Sequence, residues 1–451
     1  MTGLTVGTRA ALAQVIEAIP DDALGVMRTA VAQMGGDRAG ELAQMLEETI
    51  RDRRRRATAF GALLPLFRPR RDGLAFLGFP AAVLPRLWRA ATARGASFLS
   101  MLDGLNPEDS SRRALARGRL YSLAAEMVRQ QPDLIWPPTP QTEPTVREAA
   151  LVELAACCDM GMLAHGAVQD LADWIDRPGE ERLAEFRLMV RDASALDIDG
   201  VRRLLDIMAA HVEDASRVLR LAVHACGIGA ESMLKHSELS VFVERILDGF
   251  DEHARRISAF RPGDPVAELR RDLDWTGSVL EAAAVAVQAD PHGDWARRVA
   301  VSKALVASTI DEQLGAAPRV MARVLPMRDA TTAGRMTRRV PRLDIEVPAP
   351  DLEAAVVAAD LVAAVRSTAN RFGCEARRQS VLAALTDELT AYADLTVEAI
   401  HAGEADDADV ASARVAQVAD LLERLEAETE ARTARRRLAA LRPSAADTRA
   451  A

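Results

Sequence analysis

Apolar residues recur at intervals of three and four over long stretches of this chain. Two faces with this spacing are Val201, Leu204, Leu205, Met208, Val212, Ala215, Leu219 and Ala222, and then Leu239, Phe242, Ile246, Phe250, His253 and Ile257. Such a stripe covers one side of an α-helix, whereas a half-buried strand alternates with a period of two. The middle of the chain is therefore predicted to be helical.

Composition favours the same fold class for the whole chain. Of its 451 residues 49% are apolar but only 4% are aromatic, so aliphatic side chains must fill the core. Strand-rich proteins depend more on aromatic and β-branched residues. We predict an all-α fold, either a multi-helix antiparallel bundle or an irregular α-solenoid, with little or no β-structure.

The first residues do not resemble a secretory signal, and the apolar run at 73–85 is too short to span a bilayer, so we expect a cytoplasmic protein.

Two proline-containing stretches divide the chain. Residues 132–144 contain five prolines, and residues 329–350 contain three and show little helical periodicity. Proline cannot continue a helix interior, so both stretches are predicted to be linkers. The predicted parts are a basic N-terminal helical region (1–131), a central antiparallel bundle (145–328), a C-terminal bundle (351–442) and a disordered tail (443–451).

Local signals predict where some helices begin and end. Thr145 and Glu148 have the spacing of a capping box, and Asp351 is a candidate N-cap after the second linker. The C-terminal bundle should end in one coiled-coil-like helix over about 406–440, with a seam formed by Ala411, Val415, Val418, Leu422 and Leu425. Because two heptads are short for a coiled coil, packing within the chain is favoured over dimerisation.

The basic residues are unevenly distributed. Arginine supplies all but two of the 57 basic residues, which reflects GC-rich codons more than any binding role. Position is more informative: residues 1–131 carry a net charge of +6, the remainder carries −15, and residues 51–94 alone carry +9. This asymmetry indicates either an anionic partner or docking on the acidic remainder of the chain.

The basic stretch interleaves arginine with apolar side chains. Its candidate anion- or partner-binding residues are Arg51, Arg53, Arg54, Arg55, Arg56, Arg68, Arg70, Arg71, Arg86 and Arg89. Its candidate apolar anchors are Phe60, Leu63, Leu64, Phe67 and Trp88. Arginine beside Phe, Leu and Trp is typical of a helix lying in a lipid interface, but it also suits a helix packed on protein or bound to nucleic acid.

Searches for catalytic and metal motifs give only weak matches. No Walker A loop, G-x-S-x-G elbow, H-E-x-x-H or C-x-x-C motif occurs. Gly227, Gly229 and Ser232 match part of a dinucleotide-binding loop. Ser232 and Lys235 have the spacing of a Ser-x-x-Lys pair, and Glu398 and His401 form one Glu-x-x-His motif. Each lacks the further residues that its chemistry needs, and His253 is better explained as a hydrogen-bonded core histidine. No catalytic residue, metal site or cofactor is predicted.

The expected function is that of a non-enzymatic cytoplasmic scaffold or adaptor that binds another protein. One alternative is a peripheral membrane protein that uses residues 51–94 on an anionic surface. Nucleic-acid binding through the same residues is a third hypothesis, and an all-helical enzyme without a readable motif is a fourth. The oligomeric state is not predicted.

The domain division predicts where the native chain is cut first. Brief proteolysis should cleave within 132–144 or 329–350, because proline-rich backbone without regular periodicity is the most accessible to a protease. Fragment masses would locate the cuts. Early cleavage within 198–226 would contradict the division.

Overall fold

The protein is all-α in the parts that the structure describes. The computed structural model describes residues 5–69, 76–106, 108–212, 214–226, 240–287, 293–332 and 336–441. These contain nineteen α-helices and a single pair of short strands, which confirms the predicted fold class. The described residues form two compact units, one of 5–226 with 240–242 and one of 243–441, so the helix Ser240–Ala259 belongs to the second unit except for its first three residues. The three-part division from sequence remains a prediction about cleavage and independent folding.

The first unit is built from helices of very different length. They are α1 (Val6–Ala18), α2 (Asp21–Ala32), α3 (Asp37–Phe60), α4 (Val83–Arg94), α5 (Ala96–Gly104), α6 (Ser110–Gln130), α7 (Pro132–Ile135), α8 (Pro144–Asp159), α9 (Gly161–Asp176), α10 (Glu180–Leu196), α11 (Gly200–Val212) and α12 (Ala215–Cys226). A 3-10 turn at Leu64–Phe67 follows α3. The predicted linker at 132–144 contains α7 and is tied to α8 by Arg147, whose Nε donates to the Trp136 carbonyl at 2.6 Å.

Three aromatic residues form the centre of the main core of this unit. The ring of Phe60 meets Trp88 edge-on at 5.4 Å and stacks on Tyr121 at 5.1 Å. All three are buried, and they come from α3, α4 and α6 respectively. The indole Nε1 of Trp88 donates to Oδ1 of Asp52 at 2.7 Å, so its polar atom is satisfied within the core. A smaller cluster of Ile16, Leu24, Val31 and Leu46 joins α1 and α2 to α3.

The second unit surrounds one long helix. Its elements are α13 (Ser240–Ala259), α14 (Val266–Val287), α15 (Asp294–Val324), β1 (Met327–Thr332), β2 (Met336–Pro341), α16 (Ala349–Ala364), α17 (Glu375–His401), α18 (Ala408–Arg424) and α19 (Glu428–Leu441). The buried face of α15 runs through Val299, Ser302, Val306, Ile310, Leu314, Ala317, Met321 and Val324, with the three-and-four spacing of a core helix. The strands form an antiparallel hairpin in which Met327 pairs with Pro341.

Arginine joins helices in this unit by bridging several carboxylates. Arg298 on α15 donates to Glu244 at 2.9 Å and to Asp248 and Asp251 at 2.5 Å, all on α13. A planar guanidinium can serve several acceptors at fixed angles, which a lysine cannot do. The acidic surplus of this part of the chain is therefore matched, in part, by arginines between helices.

The predicted C-terminal helix is interrupted. Instead of one helix over 406–440, α18 and α19 are separated at residues 425–427, where Glu426 has a φ of 64°. The amide of Ala427 donates to the Leu422 carbonyl at 2.9 Å, as in a helix C-terminal turn that normally uses glycine. Without a glycine or proline the break has no sequence signal. The seam residues are nevertheless all buried within the chain: Ala411, Val415, Val418, Leu422 and Leu425.

Other predicted helix boundaries also need correction. The capping box prediction is wrong: α8 already begins at Pro144, and Thr145 lies inside it with its hydroxyl donating to Glu143 at 2.7 Å. The helix α16 begins at Ala349, before the predicted cap Asp351. The single face over 201–222 belongs to two helices, because the Asp214 carboxylate accepts from the backbone N of Ser216 and starts α12 there.

Close packing at the start of α9 gives a test of this fold. A Cβ at Gly161 would lie 2.3 Å from Cδ1 of Tyr121, so Gly161→Ala should lower the free energy of unfolding by about 1–3 kcal/mol. Gly166→Ala in the same helix is the control, since its Cβ would make an ordinary 3.6 Å contact with Met189 and should stabilise by about 0.4–1 kcal/mol. Urea unfolding followed by circular dichroism measures both. Equal effects would show that Tyr121 does not pack tightly against residue 161.

Candidate binding surfaces of the first unit

Three arginines of the basic stretch stabilise the first unit itself. The guanidinium of Arg53 donates to the carbonyls of Ile16, Glu17 and Ile19 at 2.8–3.1 Å. These carbonyls lie at the C-terminal end of α1 and just beyond it, where Ile16 also accepts from the backbone N of Ile19. Arg53 thus adds a donor there and places positive charge at the negative end of the helix dipole. Arg56 pairs with Glu17 at 3.2 Å, and Arg55 pairs with Asp103 at 2.7 Å.

The candidate apolar anchors lie in the core of the protein. Phe60, Leu63, Phe67 and Trp88 are each at most 3% exposed, and Leu64 packs half-buried against the same cluster. These side chains could reach a bilayer only if that core opened. The alternation of arginine with Phe, Leu and Trp in the sequence therefore reflects packing: the apolar side chains face the core, and several of the arginines face away from it.

The remaining arginines point outward. Arg51, Arg54, Arg68, Arg86 and Arg89 are exposed, and none forms an ion pair with a residue in the described parts of the chain. Arg89 donates only to the Pro85 carbonyl of its own helix, at 3.2 Å. Arg70 and Arg71 lie outside the described residues. The structure thus separates the predicted patch into inward and outward members.

Two of the outward arginines line two neighbouring depressions, which we together call the basic groove. One part, of about 310 Å³, lies between α2 and α3 and is lined by Leu24, Gly25, Arg28, Ile50, Arg53, Arg54 and Ala57. The other part, of about 370 Å³, lies between the end of α3 and α11 and is lined by Ala57, Gly61, Leu64, Pro65, Arg68, Pro69, Ala210 and His211. Ala57 lines both parts. No carboxylate belongs to either set of lining residues.

His211 adds a neutral polar group to the basic groove. Its Nε2 lies 2.8 Å from the Ala62 carbonyl and must carry the proton to donate there. Burial lowers the pKa of His211, and the charge of Arg68 lowers it further, against the opposing effect of that hydrogen bond. The positive charge of the groove at neutral pH therefore comes from its arginines.

A second depression has apolar walls, and we call it the apolar groove. It has a volume of about 510 Å³ and is lined by Val128, Arg129, Pro132, Glu148, Leu151, Val152, Ala155, Ala156, Asp159, Met160, Leu196, Asp197 and Arg203. Val152 and Leu196 are 67% and 59% exposed, and Ile198, two residues beyond Leu196, is 88% exposed. Large aliphatic side chains are thus presented to solvent at and beside this groove.

A buried ion-pair network supports one wall of the apolar groove. Arg203, only 4% exposed, donates to Glu153 at 2.9 Å and to Asp197 at 2.5 Å. Burial alone would lower the pKa of Arg203, but these hydrogen bonds outweigh it and raise the pKa. The network joins α8 to the loop before α11, and therefore fixes the position of Asp197 and of neighbouring Leu196.

The remaining residues noted in the sequence either make ordinary structural contacts or lie outside the described residues. His253 is 5% exposed, lies 2.8 Å from Asp272 through Nδ1 and stacks on Trp275 at 4.1 Å, as predicted for a core histidine. Glu398 is exposed and pairs with Arg338 at 2.9 Å, away from any second Glu-x-x-His motif. Gly227, Gly229, Ser232, Lys235, Leu239 and the tail 443–451 lie outside the described residues.

Among the residues that the structure describes, no three His, Cys, Asp or Glu side chains gather as metal ligands would. No individual described helix is both long and apolar enough to cross a membrane; only α8 and α9 taken together, with a 69° bend between them, reach the required length and hydropathy.

Comparison with known proteins gives no relative. No protein family matches the sequence, and no curated protein or solved structure is significantly similar to it.

Two adjacent arginines test the separation of inward from outward side chains. Arg53→Met should lower the free energy of unfolding by about 1.5–3 kcal/mol, since the α1 carbonyls lose a charged donor. Arg54→Met, one residue further, should change it by less than about 0.5 kcal/mol. Urea denaturation of both variants makes the comparison. Similar losses would mean that the helix is rotated from the orientation described here.

Proposed function

We propose that this protein is a helical adaptor that binds another protein in the apolar groove. The observation that carries the proposal is the concentration of exposed aliphatic side chains at one cavity. Isolated apolar residues are common on protein surfaces and need no explanation. Here Val152 and Leu196 line a depression of about 510 Å³ with a wall of aliphatic residues, and exposed Ile198 follows Leu196 by two residues.

The size and outline of the groove suit a segment of a protein partner. Its volume falls in the range of about 300–1,000 Å³ found for binding cavities, enough for several aliphatic side chains. An amphipathic helix commonly binds by laying such side chains into a hydrophobic groove. Arg129 and Asp159 pair with each other at the edge and are both about half exposed. An apolar centre with a polar rim is the usual anatomy of a protein interface.

The cytoplasm is the proposed location. Cys157 and Cys158 are buried free thiols, directly behind the wall of the apolar groove formed by α8. Burial raises the pKa of Cys158 to about 12, so little reactive thiolate exists at neutral pH. Buried, reduced cysteines support an adaptor that works in a reducing compartment.

Site-specific crosslinking in the native host tests the proposal. A photoreactive benzoyl-phenylalanine in place of Leu196 should give a discrete crosslinked product, identified by mass spectrometry. The same group in place of Val301 in the second unit is the control, because Val301 is also well exposed, at 69% against 59% for Leu196. Val152→Glu should reduce the Leu196 product at least about tenfold, since a partner would bury an unpaired carboxylate.

The decisive comparison is between positions 196 and 301. Identical products at both sites, or no product at 196, would contradict a partner in the apolar groove. Melting curves of Val152→Glu should match those of the original protein, because residue 152 is exposed and its substitution does not alter the core.

A further inference from the structure

We infer that the basic groove is a second binding site, which takes an acidic amphipathic segment of a partner protein. This site is separate from the apolar groove and does not depend on the function proposed for it. The inference rests on three observations: the arrangement of the two parts of the groove, the charge of their lining residues and the absence of Phe, Tyr and Trp among them.

The two parts follow one side of α3 and share Ala57, and we take them together as a channel along this helix. Ala57 is exposed and belongs to both parts, so a ligand that follows the helix can pass from one part to the other. The floor is aliphatic: buried Leu24 and half-buried Ile50 lie in the first part, and half-buried Leu64 lies in the second. A segment that fills the channel can therefore place aliphatic side chains against it.

The charge of the channel is of one sign. Arg54 lines the first part and Arg68 the second, both exposed and without an ion pair to a described residue. Arg28 is partly neutralised by Glu47 at 3.4 Å, and Arg53 serves the end of α1. A ligand spanning both parts would meet one available guanidinium in each. Carboxylates on the ligand match these groups in charge and in bidentate geometry.

The same residues argue against the other anionic partners. A bilayer needs apolar side chains that protrude, but Phe60, Leu63, Phe67 and Trp88 are buried and the groove is concave. Single-stranded nucleic acid is held by aromatic side chains that stack on the bases, and no Phe, Tyr or Trp is among the lining residues of the groove. Its one imidazole, His211, is held by the Ala62 carbonyl. An acidic peptide with aliphatic side chains matches both the positive charge of the groove and its aliphatic lining residues.

A binding titration with the full-length protein tests this inference. The probe is a synthetic fluorescent peptide with leucine at helical three-and-four spacing and glutamate elsewhere, followed by anisotropy at low salt. Arg54→Glu with Arg68→Glu should weaken binding by roughly tenfold or more, because each reversal replaces an attraction by a repulsion. The control is Arg86→Glu with Arg89→Glu, two equally exposed arginines outside the groove, which should change affinity less than about twofold.

A third variant separates a shaped groove from a diffuse positive surface. Ala57→Phe leaves the charge unchanged and fills the place where the two parts meet, so it should also weaken the peptide roughly tenfold. Vesicles with anionic lipid and a single-stranded oligonucleotide are titrated in parallel. The proposal is overturned if the peptide does not bind saturably, if Ala57→Phe has no effect, or if vesicles or oligonucleotide bind more tightly than the peptide through Arg54 and Arg68.

The result is independent of the apolar groove. Val152→Glu should leave peptide affinity unchanged, so loss of the crosslinked partner and loss of peptide binding can be told apart. A peptide whose binding fell equally in Val152→Glu and in the Arg54 and Arg68 double variant would instead indicate a single site and would contradict two separate grooves.

Discussion

The hydrogen bond from Trp88 to Asp52 holds α4 against one side of α3, and the main core of the first unit is built on that side. Successive helical residues turn by about 100°, so Arg56 and Phe60 lie on the same side as Asp52, one and two turns later. Arg51 and Arg54 then face solvent. The side of α3 that packs on this core therefore determines which arginines contact the protein and which remain available to a ligand.

Arginine has two roles in this chain that composition alone does not separate. Between helices it links carboxylates and carbonyls, as Arg298 and Arg53 do, and each such guanidinium is partly withdrawn from solvent. On the outer face of α3, Arg51 and Arg54 form no ion pair with a described residue. The difference arises from the side of the helix that each position occupies, so the net charge of residues 51–94 overstates the charge that an external partner would meet.

Much of the fold could be read from periodicity, whereas several boundaries and the grooves could not. The stripe through Phe242, Ile246 and Phe250 is buried as its spacing predicts. The break at Glu426 was missed because no glycine or proline marks it. The apolar groove was missed because Val152 and Leu196 lie on different elements. The sequence of α8 contains one indication of this groove. The helix carries apolar residues on more than one face, and Val146 and Val152 are both more than half exposed.

The contact between Gly161 and Tyr121 also joins two positions that are forty residues apart in the sequence. Any side chain at 161 needs the space that the phenol ring occupies, so substitution at either site changes what the other can tolerate. A side chain larger than glycine at 161 therefore costs less stability when residue 121 is smaller than tyrosine. The energies of substitutions at these two positions are coupled and do not add.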